Sequence, residues 1–77
     1  MRREDNYFEK ERMDYILSVF RGNNCDSYLH LGRMQGYTYS LFICGVDMTT
    51  LWNLHMRIDT AIDFAYRMRR KKLSKGW

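Results

Sequence analysis

Apolar positions near the N-terminus recur at helical spacing. One stripe lies at i, i+3, i+4 and i+7 and consists of Met13, Ile16, Leu17 and Phe20. Asn6 with Glu9 three residues later matches a capping box, and Gly22 is a typical residue just past a helix end. The pattern predicts a first helix over residues 6–21.

The middle of the chain has a pattern more typical of β-strands than of a helix. Residues 27–34 and 37–45 are rich in aromatic and aliphatic side chains, and Gln35-Gly36 between them suits a two-residue turn. Pairing Met34 with Tyr37 predicts a β-hairpin over residues 27–45. One of its faces would carry Tyr28, His30, Gly32, Met34, Tyr37, Tyr39, Leu41 and Ile43. Neither face is polar, so something besides the helices is expected to cover one of them.

The C-terminal third predicts a long helix over residues 48–73, with Asp47 or Thr49 as its N-cap. A heptad seam runs along it through Leu51, Leu54, Ile58, Ala61, Ala65 and Met68. A second stripe contains Met48, Trp52, His55, Ile62 and Tyr66. Such a helix is about 39 Å long, whereas a globule of this size is about 30 Å across.

These elements predict an α+β fold, helix–β-hairpin–long helix (αββα). It forms a single domain over residues 1–77, with residues 1–5 and 74–77 frayed. The apolar hairpin faces and the long helix favour a homodimer or higher closed oligomer, assembled through the C-terminal helix, the hairpin or both. The heptad seam is the expected oligomer interface. A monomer with both helices on the hairpin is the alternative.

Composition limits the possible functions. A chain of 77 residues buries only about 63% of its unfolded surface, which leaves little room for a catalytic pocket, so we expect no enzyme. Two cysteines are too few for a disulfide scaffold, and free thiols suit the cytoplasm. No apolar run approaches the roughly 20 residues of a membrane span, and the N-terminus does not resemble a signal peptide.

The net charge of +4 is concentrated at the C-terminus, because the rest of the chain holds more acidic than basic residues. The cationic cluster contains Arg67, Arg69, Arg70, Lys71, Lys72 and Lys75. These side chains can bind phosphates, and Trp77 can stack on a base. The alternative is a solvated helix end, where cations favour the negative end of the dipole.

The predicted hairpin would gather Tyr28, Tyr37 and Tyr39 with His30 and Met34 on one face, and Arg33 is a further candidate for binding phosphate. Aromatic faces with arginine bind bases, but they also form protein interfaces or ordinary core. His55 and Asp59 stand at i, i+4 and are read as a hydrogen bond on the helix face. The cysteines and histidines show no metal-binding spacing, so neither a metal nor a cofactor is expected.

Three functional hypotheses remain open. The first is a binding module that sequesters or blocks a larger protein. The short, proline-free, aromatic-rich chain has the general character of phage or mobile-element accessory inhibitors. The second is capture of an anion, either a nucleotide signal held between subunits or a nucleic acid on the basic helix. An enzyme assembled across a dimer is the third. The mixed charge outside the C-terminus favours protein sequestration.

Overall fold

The structure is a computed structural model that describes the backbone of residues 3–74 and the side chains from Asn6 to Ser74. It contains three helices, α1 (Arg3–Arg21), α2 (Asn24–Ile43) and α3 (Met48–Ser74). Contacts between α1 and α3 join their corresponding ends, so these helices are parallel and α2 is antiparallel to both. Over residues 3–74 the fold is an all-helical bundle without strands, and the α+β prediction is wrong.

The predicted hairpin is a single continuous helix, and Gln35-Gly36 lie inside it. The side chains that α2 turns inward have helical spacing: Ser27, Leu31, Met34, Thr38 and Leu41. Asn23 caps the helix, because its side chain accepts from the amide of Asp26 at 3.1 Å and donates to the Asp26 carboxylate at 2.9 Å. The helical period and this cap override the weak turn signal.

Each of the two loops contains a glycine in the left-handed region. Gly22 has φ +79° and Gly45 has φ +85°. After α1, the amides of Gly22 and Asn23 donate to the carbonyls of Val19 and Ser18. The same two bonds follow α2, in which the amides at 45 and 46 donate to the carbonyls at 42 and 41. These Schellman motifs end both helices abruptly, so that the bundle needs only short connections.

The outer helices differ little from the predicted ones. α1 begins at Arg3, so Asn6 lies within the helix and is not its N-cap. α3 extends one residue beyond the predicted end, and residues 3–5 and Ser74, predicted to fray, are helical. Asp47 caps α3 by accepting from the Thr50 amide at 3.1 Å and the Thr50 hydroxyl at 2.7 Å. The hydroxyl bond, with the amide bond, lowers the pKa of Asp47.

The core lies between all three helices. Its buried residues are Phe8, Tyr15, Ile16, Val19, Met34, Leu54, Ile58, Ala61 and Ala65. Only Met34 in this set comes from α2. Burial raises the pKa of Tyr15, and the neighbouring Tyr66 and Tyr28 raise it further.

The residues predicted to join subunits lie inside this one chain. Leu51, Leu54, Ile58, Ala61 and Ala65 are buried, and Met68 is half-buried. The small side chains at positions 61 and 65 admit the other helices of the same chain instead of a second copy. Self-association remains a prediction, but this seam offers no free surface for it.

Candidate functional site

An apolar groove of about 470 Å³ runs between α2 and α3. It is lined by Gln35, Thr38, Tyr39, Phe42, Met48, Leu51, Trp52, His55 and Ile58. No residue of α1 contributes to this lining. We call it the aromatic groove.

Helical periodicity places these side chains together. On α2 the lining positions follow i, i+3, i+4 and i+7, and α3 repeats that spacing from Met48 onward. Leu51 and Ile58 are buried and form the floor. Met48 and Trp52 are 71% and 62% exposed and form one rim. The groove therefore has an anchored base and accessible apolar walls.

Each wall carries a pair of rings. On α2 the Tyr39 and Phe42 rings are stacked, with centroids 6.5 Å apart. On α3 the Trp52 and His55 rings are tilted, with centroids 5.9 Å apart. Aromatic side chains offer a large contact area at low entropic cost, which is why they dominate protein interfaces.

The lining holds no arginine, lysine or carboxylate. The neighbouring cations turn toward α1, where Arg33 meets Glu11 at 3.3 Å and Arg57 lies 4.8 Å from the centre of the Phe8 ring. Arg57 also pairs with Glu9. At the rim, His55 meets Asp59 at 3.4 Å in an exposed i, i+4 pair. A surface this apolar on a small chain is typical of an interaction site.

The predicted tyrosine cluster does not form. Tyr28 is 74% exposed, and Tyr39 belongs to the aromatic groove. Tyr37 instead packs on Tyr7 and Phe8, with both ring centroids at 5.8 Å. The reason is the secondary structure, because residues that share a strand face point in different directions on a helix.

His30 and Arg33, two further predicted site residues, bind a carboxylate between α1 and α2. Glu11 is only 3% exposed, and its Oε2 lies 2.5 Å from His30 Nδ1 while its Oε1 accepts from Arg33. Glu11, Asp14 and His30 offer potential metal-ligand atoms within 4.8 Å of one another. The Glu11 carboxylate is already satisfied by a histidine and an arginine, so this cluster connects two helices and supports no metal proposal.

Much of the basic C-terminal cluster is engaged inside the chain. Arg69 donates to the carbonyl of Val19 at 3.0 Å, and Lys72 donates to that of Phe20 at 3.1 Å. Arg67 pairs with Asp63 at 3.0 Å. Arg70 and Lys71 are exposed. Lys75 and Trp77 lie outside the described residues.

The sequence-based site prediction missed six groove residues: Gln35, Thr38, Phe42, Met48, Trp52 and His55. The second stripe of the predicted long helix already contained the three from α3. Phe42 was hidden because the hairpin placed it on the face opposite Tyr39. On a helix these two residues are three positions apart and share a side.

Comparisons with protein-family models, curated proteins and solved structures find no match to this chain. Among the described residues, no helix is sufficiently long and apolar to cross a membrane.

Proposed function

We propose that this chain is a non-enzymatic binding protein that sequesters a larger protein by capturing one of its apolar helices in the aromatic groove. The observation that carries the proposal is the uncharged, ring-lined groove on the surface of the bundle. Amphipathic helices bind such grooves through apolar side chains at i, i+3 or i+4, and i+7.

The dimensions of the groove suit that ligand. Its lining spans residues 35–42 of α2 and 48–58 of α3, which correspond to about 10 Å and 15 Å of helix. Two to three turns of a partner helix cover this length. Because the walls are helices and not loops, little conformational entropy is lost on binding.

Neither catalysis nor anion capture draws comparable support. His55 is the one imidazole in the groove lining, and the lining offers it no cysteine or lysine nucleophile to activate and no second acid or base. Anion capture would use the basic cluster, but Arg67, Arg69 and Lys72 already have partners in the chain. Cys25 and Cys44 are free and exposed, which suits a reducing compartment, and we propose that the protein acts in the cytoplasm.

Site-specific photo-crosslinking tests the proposal. A benzophenone amino acid replaces Trp52 on the groove rim, and in a matched chain it replaces Asn53, the next residue of the same helix and not part of the lining. Both chains are expressed and irradiated in the cells that make the protein. We expect one adduct with a larger protein from position 52 only, mapped to an apolar helical segment.

The purified complex gives the second readout. Phe42→Ser and Trp52→Ser should each weaken binding of the mapped segment by tenfold or more, since central aromatic anchors supply much of the affinity. Asn53→Ser is the control and should bind as the wild type does. Equal adducts from both positions, adducts with lipid alone, or binding unaffected by both groove variants would contradict the proposal.

A further inference from the structure

A second pocket lies at the end of the bundle where α1 and α3 finish side by side. Its volume is about 220 Å³, and it is lined by Phe20, Arg21, Gly22, Arg69, Lys72 and Leu73. We call it the cationic pocket, because half of its lining residues are basic and none is acidic. It shares no residue with the aromatic groove, so a ligand here would be bound independently of the proposed function.

Two of the three cations are held in place by uncharged partners. Arg69 donates to the Val19 carbonyl at 3.0 Å, and Lys72 donates to the Phe20 carbonyl at 3.1 Å. A carbonyl accepts a hydrogen bond without neutralising the positive charge. A guanidinium has five N–H donors and an ammonium has three, so each group keeps most of its donors for another acceptor. Both cations are therefore fixed in position and still able to bind an anion.

The cations of this pocket also lack the counter-ions that other arginines have. Within residues 6–74 the arginine–carboxylate pairs lie elsewhere, and they are Arg12 and Arg57 with Glu9, Arg33 with Glu11, and Arg67 with Asp63. Over the same residues, no carboxylate forms an ion pair with Arg21, Arg69 or Lys72. Like charges that lie close together repel one another, so an anion bound between these cations would relieve the repulsion.

The charge around the cationic pocket is positive on balance. Arg70 and Lys71 are exposed and lie next to its lining residues in the sequence. Two carboxylates lie nearby, because Asp14 and Asp26 line a separate pocket that Arg21 also borders. The dipoles of α1 and α3 add negative charge at this end, but each is equivalent to only about half an elementary charge. The five basic side chains outweigh these groups, and the region attracts anions.

We propose that the cationic pocket binds an oligophosphate, meaning a short chain of linked phosphate groups, either free or carried by a nucleoside. The planar guanidinium of Arg69 can hold two phosphate oxygens at once, and Lys72 acts as a point charge. These two residues are three positions apart on α3 and therefore neighbours, while Arg21 comes from α1. One phosphate group carries about −1.5 to −2 at pH 7, so at least two groups are needed to balance three cations.

A nucleic acid is a weaker candidate for the same charges. Proteins that bind single strands without sequence preference present a basic groove that follows the backbone. Outside its C-terminal cluster this chain holds more acidic than basic residues, so its positive surface is short. A compact pocket suits a compact anion, and the experiment must distinguish the two ligands.

Isothermal titration calorimetry with inorganic triphosphate, at physiological ionic strength, tests the proposal. The wild type should bind one triphosphate per chain. Arg21→Gln and Lys72→Gln should each weaken binding by about tenfold or more, because each removes a charge that contacts the anion. Lys71→Gln is the matched control. It removes the same charge next to the lining and should weaken binding by less than about threefold, because it acts only through a screened field.

Two further measurements make the test specific. Circular dichroism melting checks that Lys72→Gln is folded, and Arg21→Gln tests the pocket without removing an ion pair of residues 6–74. Inorganic phosphate should bind at least about tenfold more weakly than triphosphate, because one phosphate balances fewer than three cations. A nucleoside triphosphate that binds as triphosphate does would show that the phosphates alone are recognised. Tighter binding would show that the nucleoside is also held, and either result supports the pocket.

Three results would overturn the inference. The first is a wild-type chain that binds no triphosphate at millimolar concentration. The second is equal weakening by Lys71→Gln and Lys72→Gln, which would mean that the anion responds to net charge and not to the cationic pocket. The third is a single-stranded oligonucleotide that binds far more tightly than triphosphate and is weakened equally by both variants, which would assign these cations to a nucleic acid.

Discussion

The guanidinium of Arg69 on α3 donates to the carbonyl of Val19 at 3.0 Å, in the last turn of α1. The same guanidinium lies 3.0 Å from the place where a Cβ on Gly22 would be. Lys72 makes a similar bond to Phe20 and lies 4.6 Å from the centre of its ring. Cations at this position oppose the negative end of the helix dipole. Part of the basic cluster therefore stabilises the end of α1.

Gly22→Ala should destabilise the fold by more than Gly45→Ala. Both positions have a left-handed backbone, in which a side chain costs about 1–2 kcal/mol. Only at Gly22 does the new methyl also press on Arg69, because a Cβ at Gly45 meets no atom within 4 Å. Urea unfolding measures the free energies. When Arg69 is also replaced by alanine, Gly22→Ala and Gly45→Ala should lower the free energy of unfolding equally. A difference that persists without Arg69 would mean that the contact with Arg69 is not its cause.

His30→Ala should cost more stability than Arg33→Ala. Both side chains bind Glu11, which is almost fully buried, but His30 is the better-shielded partner. Removing a bond to a buried charge costs about 1.5–3 kcal/mol, whereas half-exposed ion pairs contribute about 0–1 kcal/mol. Urea unfolding of both variants at pH 7 provides the comparison. If Arg33→Ala lowered the free energy of unfolding as much as His30→Ala, the bond from Arg33 to Glu11 would be as stabilising as the bond from His30.

The outer helices could be predicted from the sequence because each combines apolar positions at helical spacing with a polar opposite side. α2 could not, because apolar residues occur around most of its circumference. Leu31 and Met34 face inward, while Leu29, Tyr39 and Ile43 face solvent. When both sides are apolar, helical periodicity is obscured and local alternation resembles a strand. The wrong secondary structure and the exposed apolar side of α2 thus have the same cause.

The candidate site was partly visible in the sequence for a related reason. Met48, Trp52 and His55 stood out as a second stripe on a helix whose bounds were nearly right. The α2 wall could not be found, because a hairpin separates Tyr39 from Phe42 and a helix unites them. The opposite error affected Tyr28, Tyr37 and Tyr39, which only a strand would gather. Predicting the site therefore depended on assigning the correct secondary structure to the segment that forms α2.

Stability should fall in acid partly through Asp47. Its pKa is lowered in the folded chain by the Thr50 hydroxyl and amide bonds. The carboxylate therefore contributes its full stability above the unfolded pKa of about 3.9, and loses it as the pH falls through the lower folded value. Asp47→Asn keeps a capping oxygen but cannot titrate in this range.

Urea midpoints measured from pH 6 to pH 2 test this assignment. The wild type should lose more stability than Asp47→Asn between pH 4 and pH 2, because only the wild type protonates the cap. Other carboxylates titrate equally in both chains, so the difference between the chains isolates Asp47. Parallel pH profiles would mean that the bonds to Thr50 do not favour the ionised form.

A substitution in the core should destabilise the fold much more than a substitution in the aromatic groove. Leu54→Ala removes a buried side chain between the helices and should cost about 2–5 kcal/mol. Phe42→Ser and Trp52→Ser remove exposed rings from the groove rim and should each change stability by only about 0.5 kcal/mol. Chemical denaturation gives these values, with Asn53→Ser as the surface control.

The hydrophobic dye ANS supplies the complementary readout. The folded wild type should bind it through the aromatic groove, and Phe42→Ser and Trp52→Ser should reduce the fluorescence while the fold persists. The pattern follows from where the apolar surface lies: groove residues already face water, so their loss removes a binding surface without opening a cavity. If Phe42→Ser destabilised the chain as strongly as Leu54→Ala, the groove would be part of the core, and the proposed binding role would lose its support.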